Sequence, residues 1–294
     1  MREGGHREGE GSPQVKVDMR TANIWRVAIV FAAGVALAAV TAGQTAKSAP
    51  SGNTGLIDDL VVANRILDNE NILDGLGHVS ARSLTNPNHF FQSRDLAPGL
   101  VTAADILEYD LDGNPVNPKA PASVRERFIH GSIYKARPDV KSVVHSHMPS
   151  VLPYTDVTTP LRAMYHMAAF LVPGVPMFEI RKVPGHIGML VDDTKSGDAL
   201  AQALGNKTVV LLRGHGAAIV GSSVPDAVSN AIFLDVNARA QSQAIALGGN
   251  ISYLTQADLA PPTPNQQPSA LPGSQGYYPR SWPIWKAKAM GEKR

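Results

Sequence analysis

Apolar residues recur at helix or strand spacing over most of the chain between residues 55 and 254, which predicts alternating helices and strands. Residues 56–69 carry apolar side chains three and four positions apart and predict a first helix. The glycine-rich stretch 75–82 alternates in polarity and indicates a strand entered through a tight turn. Strand-like pieces follow at 90–92 and 108–111, and Asp112-Gly113 is typical of a hairpin turn.

The second half of the chain shows the same interleaving. In order, the pattern predicts a helix over residues 123–137, strands over 140–147, 209–213 and 217–220, and a long helix from about Pro225. Ser222 or Ser223 is expected to cap this last helix, and Gly248-Gly249 is expected to end it. Because several strands are joined by short turns, we expect an α/β fold, a three-layer α/β/α sandwich with a mixed, largely antiparallel central sheet.

Composition divides the chain into three parts. Residues 1–50 are expected to form a signal peptide and linker, residues 51–259 one folded domain, and residues 260–294 a Pro/Gln-rich tail. We expect the tail to wrap around the surface or a neighbouring subunit, with Trp282 and Trp285 as anchors.

The N-terminal part has the pattern of an export signal. Arg20 and Arg26 precede an alanine-rich apolar run over residues 27–42, which is shorter than the roughly 20 residues that span a bilayer. Val40 and Ala42 are small residues at the minus-three and minus-one positions of a cleavage site. The pattern predicts an exported, periplasmic protein that meets the membrane only through this signal; an uncleaved membrane anchor is the alternative.

The bulk composition narrows the possible functions. With 44% hydrophobic and 18% charged residues the chain can bury an ordinary core, and its net charge of +2 without a basic stripe argues against a nucleic-acid partner, although the pI is 8.8. The chain has no cysteine, so disulfides, thiolate metal sites and cysteine nucleophiles are excluded. Any metal must therefore bind to histidine, carboxylate and water.

Three histidines form a candidate metal site. His145 and His147 are two positions apart in a predicted strand, so both imidazoles point to the same face, which suits two ligands of one metal. His215 follows a buried strand and has a glycine on each side, which leaves its imidazole unobstructed at a strand end. Alone, either feature also fits ordinary surface or turn histidines. Together they predict a tris-imidazole site for zinc or another first-row divalent ion.

Glu126 has two possible roles. Ser123 and Glu126 have the spacing of a capping box, in which the carboxylate binds the backbone amide of the serine. Alternatively, the carboxylate lies near the metal as a ligand or a general acid/base. The spacing leaves both open.

These motifs together resemble the class II aldolase/adducin family over roughly residues 56–254. The resemblance rests on Gly77-His78-Val79-Ser80-Ala81-Arg82, Glu126-Arg127-Phe128-Ile129-His130, Ala136-Arg137-Pro138-Asp139-Val140, Val143-Val144-His145-Ser146-His147 and Arg213-Gly214-His215-Gly216.

The resemblance implies an α/β/α sandwich that assembles as a homotetramer, with active sites at subunit interfaces. It implies that His145, His147 and His215 bind the metal and that Glu126 is a ligand or the catalytic acid/base. We expect Zn²⁺, with Mn²⁺, Mg²⁺ or Fe²⁺ as alternatives. Adducin-like members have lost these ligands, whereas this chain keeps them and is expected to be a lyase that works through a metal-stabilised enolate.

The expected substrate is a small carboxylate without a phosphate. The family's sugar-phosphate aldolases hold phosphate with small residues, and this chain has bulky or cationic residues in those places. Arginine offers a planar fork that suits a carboxylate. The candidate substrate-binding residues are His78, Ser80, Arg82, Arg94 and Arg125.

Further segments, at residues 90–94, 96–98 and 162–168, resemble the branch that contains metal-dependent decarboxylases of hydroxylated aromatic or pyridine dicarboxylates. In that branch His166 is expected to be a second proton donor; a hydrogen-bonded core histidine is the alternative. We rank a decarboxylase first, an aldolase acting on a hydroxy-keto acid or sugar acid second, and a non-catalytic adducin-like interaction protein third.

N-terminal sequencing of the exported protein tests the signal. Cleavage after Ala42 gives a mature chain that begins at Gly43. A mature chain that begins at Met1, or at the alternative start Met19, would rule out a cleaved signal.

Overall fold

The computed structural model of the protein describes residues 52–259 and 278–292. The expected signal segment and its cleavage site lie outside these residues. Within the two described ranges, no helix combines the length and the apolar character that crossing a membrane requires.

One mixed sheet forms the centre of the fold. Its seven strands are β1 (His78–Arg82), β2 (His89–Ser93), β3 (Ile106–Asp110), β4 (Ser142–Ser146), β5 (Met177–Phe178), β6 (Val209–Leu212) and β7 (Gly216–Gly221). Their order across the sheet is β3-β2-β1-β4-β7-β6-β5. Only the short β5 pairs in parallel with its neighbour, β6, and all other strand pairs are antiparallel. The prediction of a mixed, largely antiparallel sheet is confirmed.

Helices cover both faces of this sheet. They are α1 (Thr54–Asn69), α2 (Arg127–Ala136), α3 (Leu152–Asp156), α4 (Thr194–Leu204), α5 (Val224–Leu247) and α6 (Tyr278–Ala289). One apolar core joins the sheet to α1 and α5, and a second joins it to α2 and α4. Adjacent residues of β4 show the alternation, since Val143 belongs to the second core and Val144 to the first.

Three helices were not predicted: the short α3, α4 and α6. In α4 the apolar stripe is short and is interrupted by Gly197, which packs so closely that a β-carbon would lie 2.7 Å from the carbonyl oxygen of Phe128. The helix is capped by Asp193, whose side chain accepts from the amide of Ser196. The helix α6 contains Pro283 and lies in the segment that was expected to be a Pro/Gln-rich tail.

Trp282 and Trp285 of α6 pack against the core that contains α1 and α5. Trp285 lies 5.8 Å from Phe233 of α5, measured between ring centroids. The described end of the tail therefore lies on its own chain.

The start of α2 also differs from the prediction. The helix begins at Arg127, and its N-cap residue is Glu126 rather than Ser123. The long α5 agrees with its prediction. Ser223 caps its start by accepting a hydrogen bond from the amide of Asp226. Gly248, which has φ +78°, ends the helix.

A glycine-flanked turn joins β6 to β7 beside the C-terminal end of β4. Gly214 has φ +62°, a conformation that a side chain disfavours. A β-carbon on Gly216 would lie 2.2 Å from the carbonyl oxygen of Ser146. Both glycines thus allow β7 to approach β4 where the candidate ligands lie.

We expect Gly216→Ala to lower the free energy of unfolding by about 1–3 kcal/mol, because β4 and β7 must separate to admit a methyl group. Urea unfolding measures this change. Gly75→Ala is the matched control, because a β-carbon there meets no atom within 4 Å. Equal stability of Gly216→Ala and the unmodified protein would contradict the tight contact.

Candidate metal centre

The sheet brings four candidate ligands to one place. His145 lies near the end of β4 and His147 just beyond it, while His215 lies in the turn before β7. Antiparallel pairing of β4 with β7 sets these segments side by side. Glu126 reaches the same place from the start of α2. One nitrogen or oxygen atom from each of the four lies within 4.8 Å of each of the others.

The atoms that converge are three Nε2 atoms and one carboxylate oxygen. The Nε2 atoms of His145 and His147 are 3.1 Å apart. Oε2 of Glu126 lies 3.5 Å from Nε2 of His145 and 3.4 Å from Nε2 of His215.

The opposite nitrogen of each ring faces an oxygen atom. Nδ1 of His145 donates to the carbonyl of Ala217 at 3.1 Å, and Nδ1 of His215 donates to the carbonyl of Met189 at 3.1 Å. Nδ1 of His147 lies 3.4 Å from both carboxylate oxygens of Asp74. These acceptors hold the ring proton on Nδ1 and leave the Nε2 lone pair free, which is the arrangement of metal-binding histidines.

Glu126 is oriented by a single backbone contact. Its Oε1 accepts from the amide of Val191 at 3.0 Å, so its Oε2 faces the imidazoles. No capping box forms, because Glu126 itself is the N-cap residue of α2 and its side chain is engaged elsewhere. Of the two roles that the sequence left open, the geometry agrees with the carboxylate near the metal.

Charges within the cluster shift its pKa values. Burial opposes ionisation of Glu126, but where protons rather than an ion occupy Nε2 of His145 and His215, their hydrogen bonds and charge outweigh it and hold the pKa of the carboxyl well below its usual range. Burial likewise opposes protonation of His215, yet Glu126 raises the pKa of this imidazole. Burial and the neighbouring imidazoles lower the pKa of His147. The carboxylate is thus ionised at neutral pH.

The donor set fits a divalent cation. Two unprotonated nitrogens 3.1 Å apart repel each other, and a shared cation removes that repulsion. Three imidazoles and one carboxylate suit zinc and other first-row divalent ions. The side chain of His147 is 17% exposed, whereas that of His145 is fully buried, so the cluster opens to solvent on the His147 side.

Two of the expected substrate-binding residues have internal partners instead. The guanidinium of Arg82 donates to four backbone carbonyl groups, those of Pro87, Tyr134, Arg137 and Val140. Ser80 is fully buried, and its hydroxyl lies between His130 and Tyr134. These contacts give Arg82 and Ser80 structural partners inside the protein, and their contact with a substrate stays a prediction.

The other two arginines lie nearer the surface. Arg94 binds Asp105 at 2.7 Å, with its side chain 36% exposed. Arg125 pairs with Asp192, and its side chain is 70% exposed. Arg125 precedes Glu126 and Asp192 follows Val191, so this exposed ion pair joins the two segments that the Val191–Glu126 contact also joins.

The remaining candidates are both histidines. His78 is buried, and its ring centroid lies 5.1 Å from that of His145. His166 is exposed at the start of the 3₁₀ segment His166–Leu171. In the described part of the chain, the four-residue group that can hold a metal does not include His166.

Sequence reasoning missed the groups that hold the ligands in place. Asp74 lies in a loop without a recognisable motif, and Met189 and Val191 contribute only backbone atoms. Side-chain patterns give no signal for such contacts.

Comparison with known proteins agrees with this fold and site. The family model described as the class II aldolase and adducin N-terminal domain matches residues 58–242. The decarboxylase tropJ of Talaromyces stipitatus is 36% identical over 243 residues, which cover 75% of this chain and 88% of that protein. A 3,4-dihydroxyphthalate decarboxylase of Arthrobacter keyseri is 33% identical over 228 residues, which cover 74% of this chain and 89% of that protein.

Among solved structures, the chain is similar to an L-fuculose 1-phosphate aldolase from Glaciozyma antarctica. The TM-score is 0.63 at 24% identity, and the match covers 81% of this chain and 90% of the aldolase, which supports the fold. The family model matches well over half of the chain, and the chain retains the four-residue His/Glu cluster. The protein therefore belongs to the class II aldolase and adducin family, and it is an enzyme of that family.

Proposed function

We propose that this enzyme is a metal-dependent decarboxylase of a hydroxylated aromatic dicarboxylate. The main support is the metal centre itself. Three Nε2 atoms and one carboxylate converge there, and the site is accessible to solvent on the His147 side. The similarity to tropJ and to 3,4-dihydroxyphthalate decarboxylases, over about three quarters of the chain, supports this reaction among those of the family.

The reaction needs no oxidant or reductant. The bond between a ring carbon and its carboxylate breaks, carbon dioxide leaves, and the electron pair that remains takes up one proton. A divalent ion, when bound, supplies a Lewis acid that draws negative charge onto a substrate oxygen next to that carbon.

The residues of the cluster have separate tasks in this proposal. His145, His147 and His215 hold the ion through Nε2, and their Nδ1 contacts fix the rings. Glu126 is proposed as a ligand, because its Oε2 lies 3.5 Å from Nε2 of His145 and 3.4 Å from Nε2 of His215 while its Oε1 is held by the amide of Val191. His166 remains the expected proton donor, and loss of turnover in His166→Asn with unchanged metal content is the expected sign of that role.

Arg125 is proposed to bind a carboxylate of the substrate. Its guanidinium is exposed and is held by Asp192, and its backbone adjoins Glu126. Arg94, paired with Asp105, is the second candidate. A planar fork of donors recognises carboxylates in two-point contacts.

An aldolase acting on a hydroxy-keto acid or sugar acid is the second candidate function. The same cluster and the fold shared with an aldolase favour it. Carbon–carbon cleavage then releases pyruvate or an aldehyde instead of carbon dioxide. The retained cluster argues against the third candidate, a non-catalytic adducin-like protein.

We further propose Zn²⁺ as the ion, because imidazole-rich sites suit it, with Mn²⁺, Mg²⁺ and Fe²⁺ as competing candidates. Export to the periplasm and a homotetrameric assembly also belong to the proposal. Metal analysis, cell fractionation and light scattering test these three points separately.

Metal analysis of the purified protein should find about one divalent ion per chain. We expect His145→Ala to abolish binding, and Asp74→Asn to weaken it about 10- to 100-fold because Nδ1 of His147 loses its carboxylate partner. His89→Ala is the control, since His89 pairs with Glu108 outside the cluster. Unchanged affinity in His145→Ala would place the ion elsewhere.

Metal binding should also depend on pH. Protons compete with the ion for the imidazoles, so affinity should fall as pH drops below about 6.5. Because Glu126 raises the pKa of His215, competition at this ligand should begin at a higher pH than at an unperturbed histidine. Titration of metal binding between about pH 5 and 8 measures this, and a flat profile would contradict imidazole ligation.

Turnover is tested with 3,4-dihydroxyphthalate. We expect carbon dioxide release that a chelator abolishes and added metal restores. Arg125→Gln should raise KM about tenfold, whereas Arg181→Gln, which alters an exposed arginine paired with Glu179, should leave KM unchanged. Release of pyruvate from a hydroxy-keto acid, with no carbon dioxide from any aromatic dicarboxylate, would favour the aldolase.

A further inference from the structure

Two buried carboxamides of α5 hold a segment of the chain, residues 160–164, that leads directly to His166. Asn237 and Gln241 lie one helical turn apart on α5, and both side chains are fully buried. Each carboxamide binds the backbone of the segment at two points. We call these two residues the carboxamide clips.

The four hydrogen bonds of the carboxamide clips each measure 2.8 Å. Asn237 accepts from the amide of Met164 and donates to the carbonyl of Arg162. Gln241 accepts from the amide of Arg162 and donates to the carbonyl of Pro160. A backbone amide only donates and a carbonyl only accepts, so these partners fix the orientation of both carboxamides.

The other side of the segment is held as well. The carbonyl of Ala163 accepts from the amide of Leu254 at 2.9 Å. The guanidinium carbon of Arg162 lies 4.1 Å from the ring centroid of Tyr253. The backbone of residues 160–164 is therefore bound on both sides, and two side chains of a helix take the place that a neighbouring strand has in a sheet.

The same helix also binds the loop that follows the ligand His147. Ser150, which comes three residues after His147, donates to Asp235 of α5 at 2.6 Å. Asp235 and Gln241 are separated by about 9 Å along the axis of an α-helix. One helix thus fixes the loop after a metal ligand and the segment before His166 relative to each other.

We propose that Asn237 and Gln241 are positioning residues for His166. Met164, which Asn237 holds through its amide, lies only two residues before His166. A group that transfers a proton must lie at the correct place, and a small displacement costs a large factor in rate. The role of His166 as proton donor rests on the proposed function, whereas the placement of its segment by the carboxamide clips does not.

The first test measures hydrogen exchange at single amides of the full chain loaded with Zn²⁺. Asn237→Leu removes the acceptor of the Met164 amide, and Gln241→Met removes that of the Arg162 amide. We expect each variant to lower the protection of the amide that loses its acceptor about 3- to 10-fold.

Ala168 reports on the surroundings of His166. Its amide donates to the carbonyl of Tyr165 at 2.9 Å, so this hydrogen bond spans His166 and involves neither carboxamide clip. Protection of the Ala168 amide should also fall about 3- to 10-fold in both variants, because the backbone around His166 is placed by the segment before it.

Asn230→Leu is the matched control for Asn237→Leu. Asn230 is a buried amide of the same helix, but it donates to the carbonyl of Val220 in β7 at 3.1 Å. The control should leave the protection of Ala168 unchanged. Gln241→Met guards against a folding defect that is specific to Asn237→Leu.

The second test is a double-mutant cycle on the turnover of 3,4-dihydroxyphthalate. Gln241→Met should lower kcat about tenfold, with KM and metal content unchanged, because His166 is displaced. In the His166→Asn background the same substitution should cause no further loss, since the residue through which it acts is already absent. An effect on the structure elsewhere would lower kcat in both backgrounds.

The outcomes separate the two proposals. Unchanged protection of Ala168 in both Asn237→Leu and Gln241→Met overturns this inference whatever the substrate. Additive losses of kcat in the double-mutant cycle also overturn it. If no carbon dioxide is released, or if His166→Asn leaves kcat unchanged, while Ala168 loses protection as expected, the proposed role of His166 fails and the placement of its segment stands.

Discussion

The site depends on one constraint: each of its three imidazoles must be unprotonated on the nitrogen that faces the centre. A carbonyl or carboxylate oxygen at Nδ1 meets that constraint for every ring, and each of the three oxygens comes from a different part of the fold. Ala217 belongs to β7, Met189 to the segment before α4, and Asp74 to the loop before β1. The ligands alone therefore do not define the centre, because its chemistry is set by the segments that surround them.

The segment that contains Met189 and Val191 has a double function. The carbonyl of Met189 fixes the ring of His215, and the amide of Val191 fixes the carboxylate of Glu126. One short stretch of backbone thus orients a ligand from the β6–β7 turn and a ligand from the start of α2. The ion pair between Arg125 and Asp192 continues the same connection at the surface.

Much of the fold could be predicted from the sequence, because alternation and glycine turns are local signals. The spacing of His145 and His147 correctly placed both rings on one side, and the glycines around His215 indicated the turn that brings it close. The helix α4 was not predicted, because its packing requires a residue without a side chain at Gly197. That requirement comes from the close approach of the neighbouring helix α2, which the sequence of α4 does not show.

The roles of individual polar residues were harder to predict. Arg82 and Ser80 lie in a motif shared with the family, yet their polar atoms are engaged inside the protein. The choice between capping and metal binding for Glu126 depends on the amide of Val191, 65 residues away in the chain. Contacts of this kind are long-range and involve backbone atoms, so no pattern of side chains can reveal them.

A crystal of the zinc-loaded protein, measured at the zinc absorption edge, tests the central claim most directly. The account predicts one strong anomalous peak in each chain, within bonding distance of Nε2 of His145, His147 and His215 and of a carboxylate oxygen of Glu126. A peak bound to other residues, or none among these four in zinc-saturated protein, would contradict it.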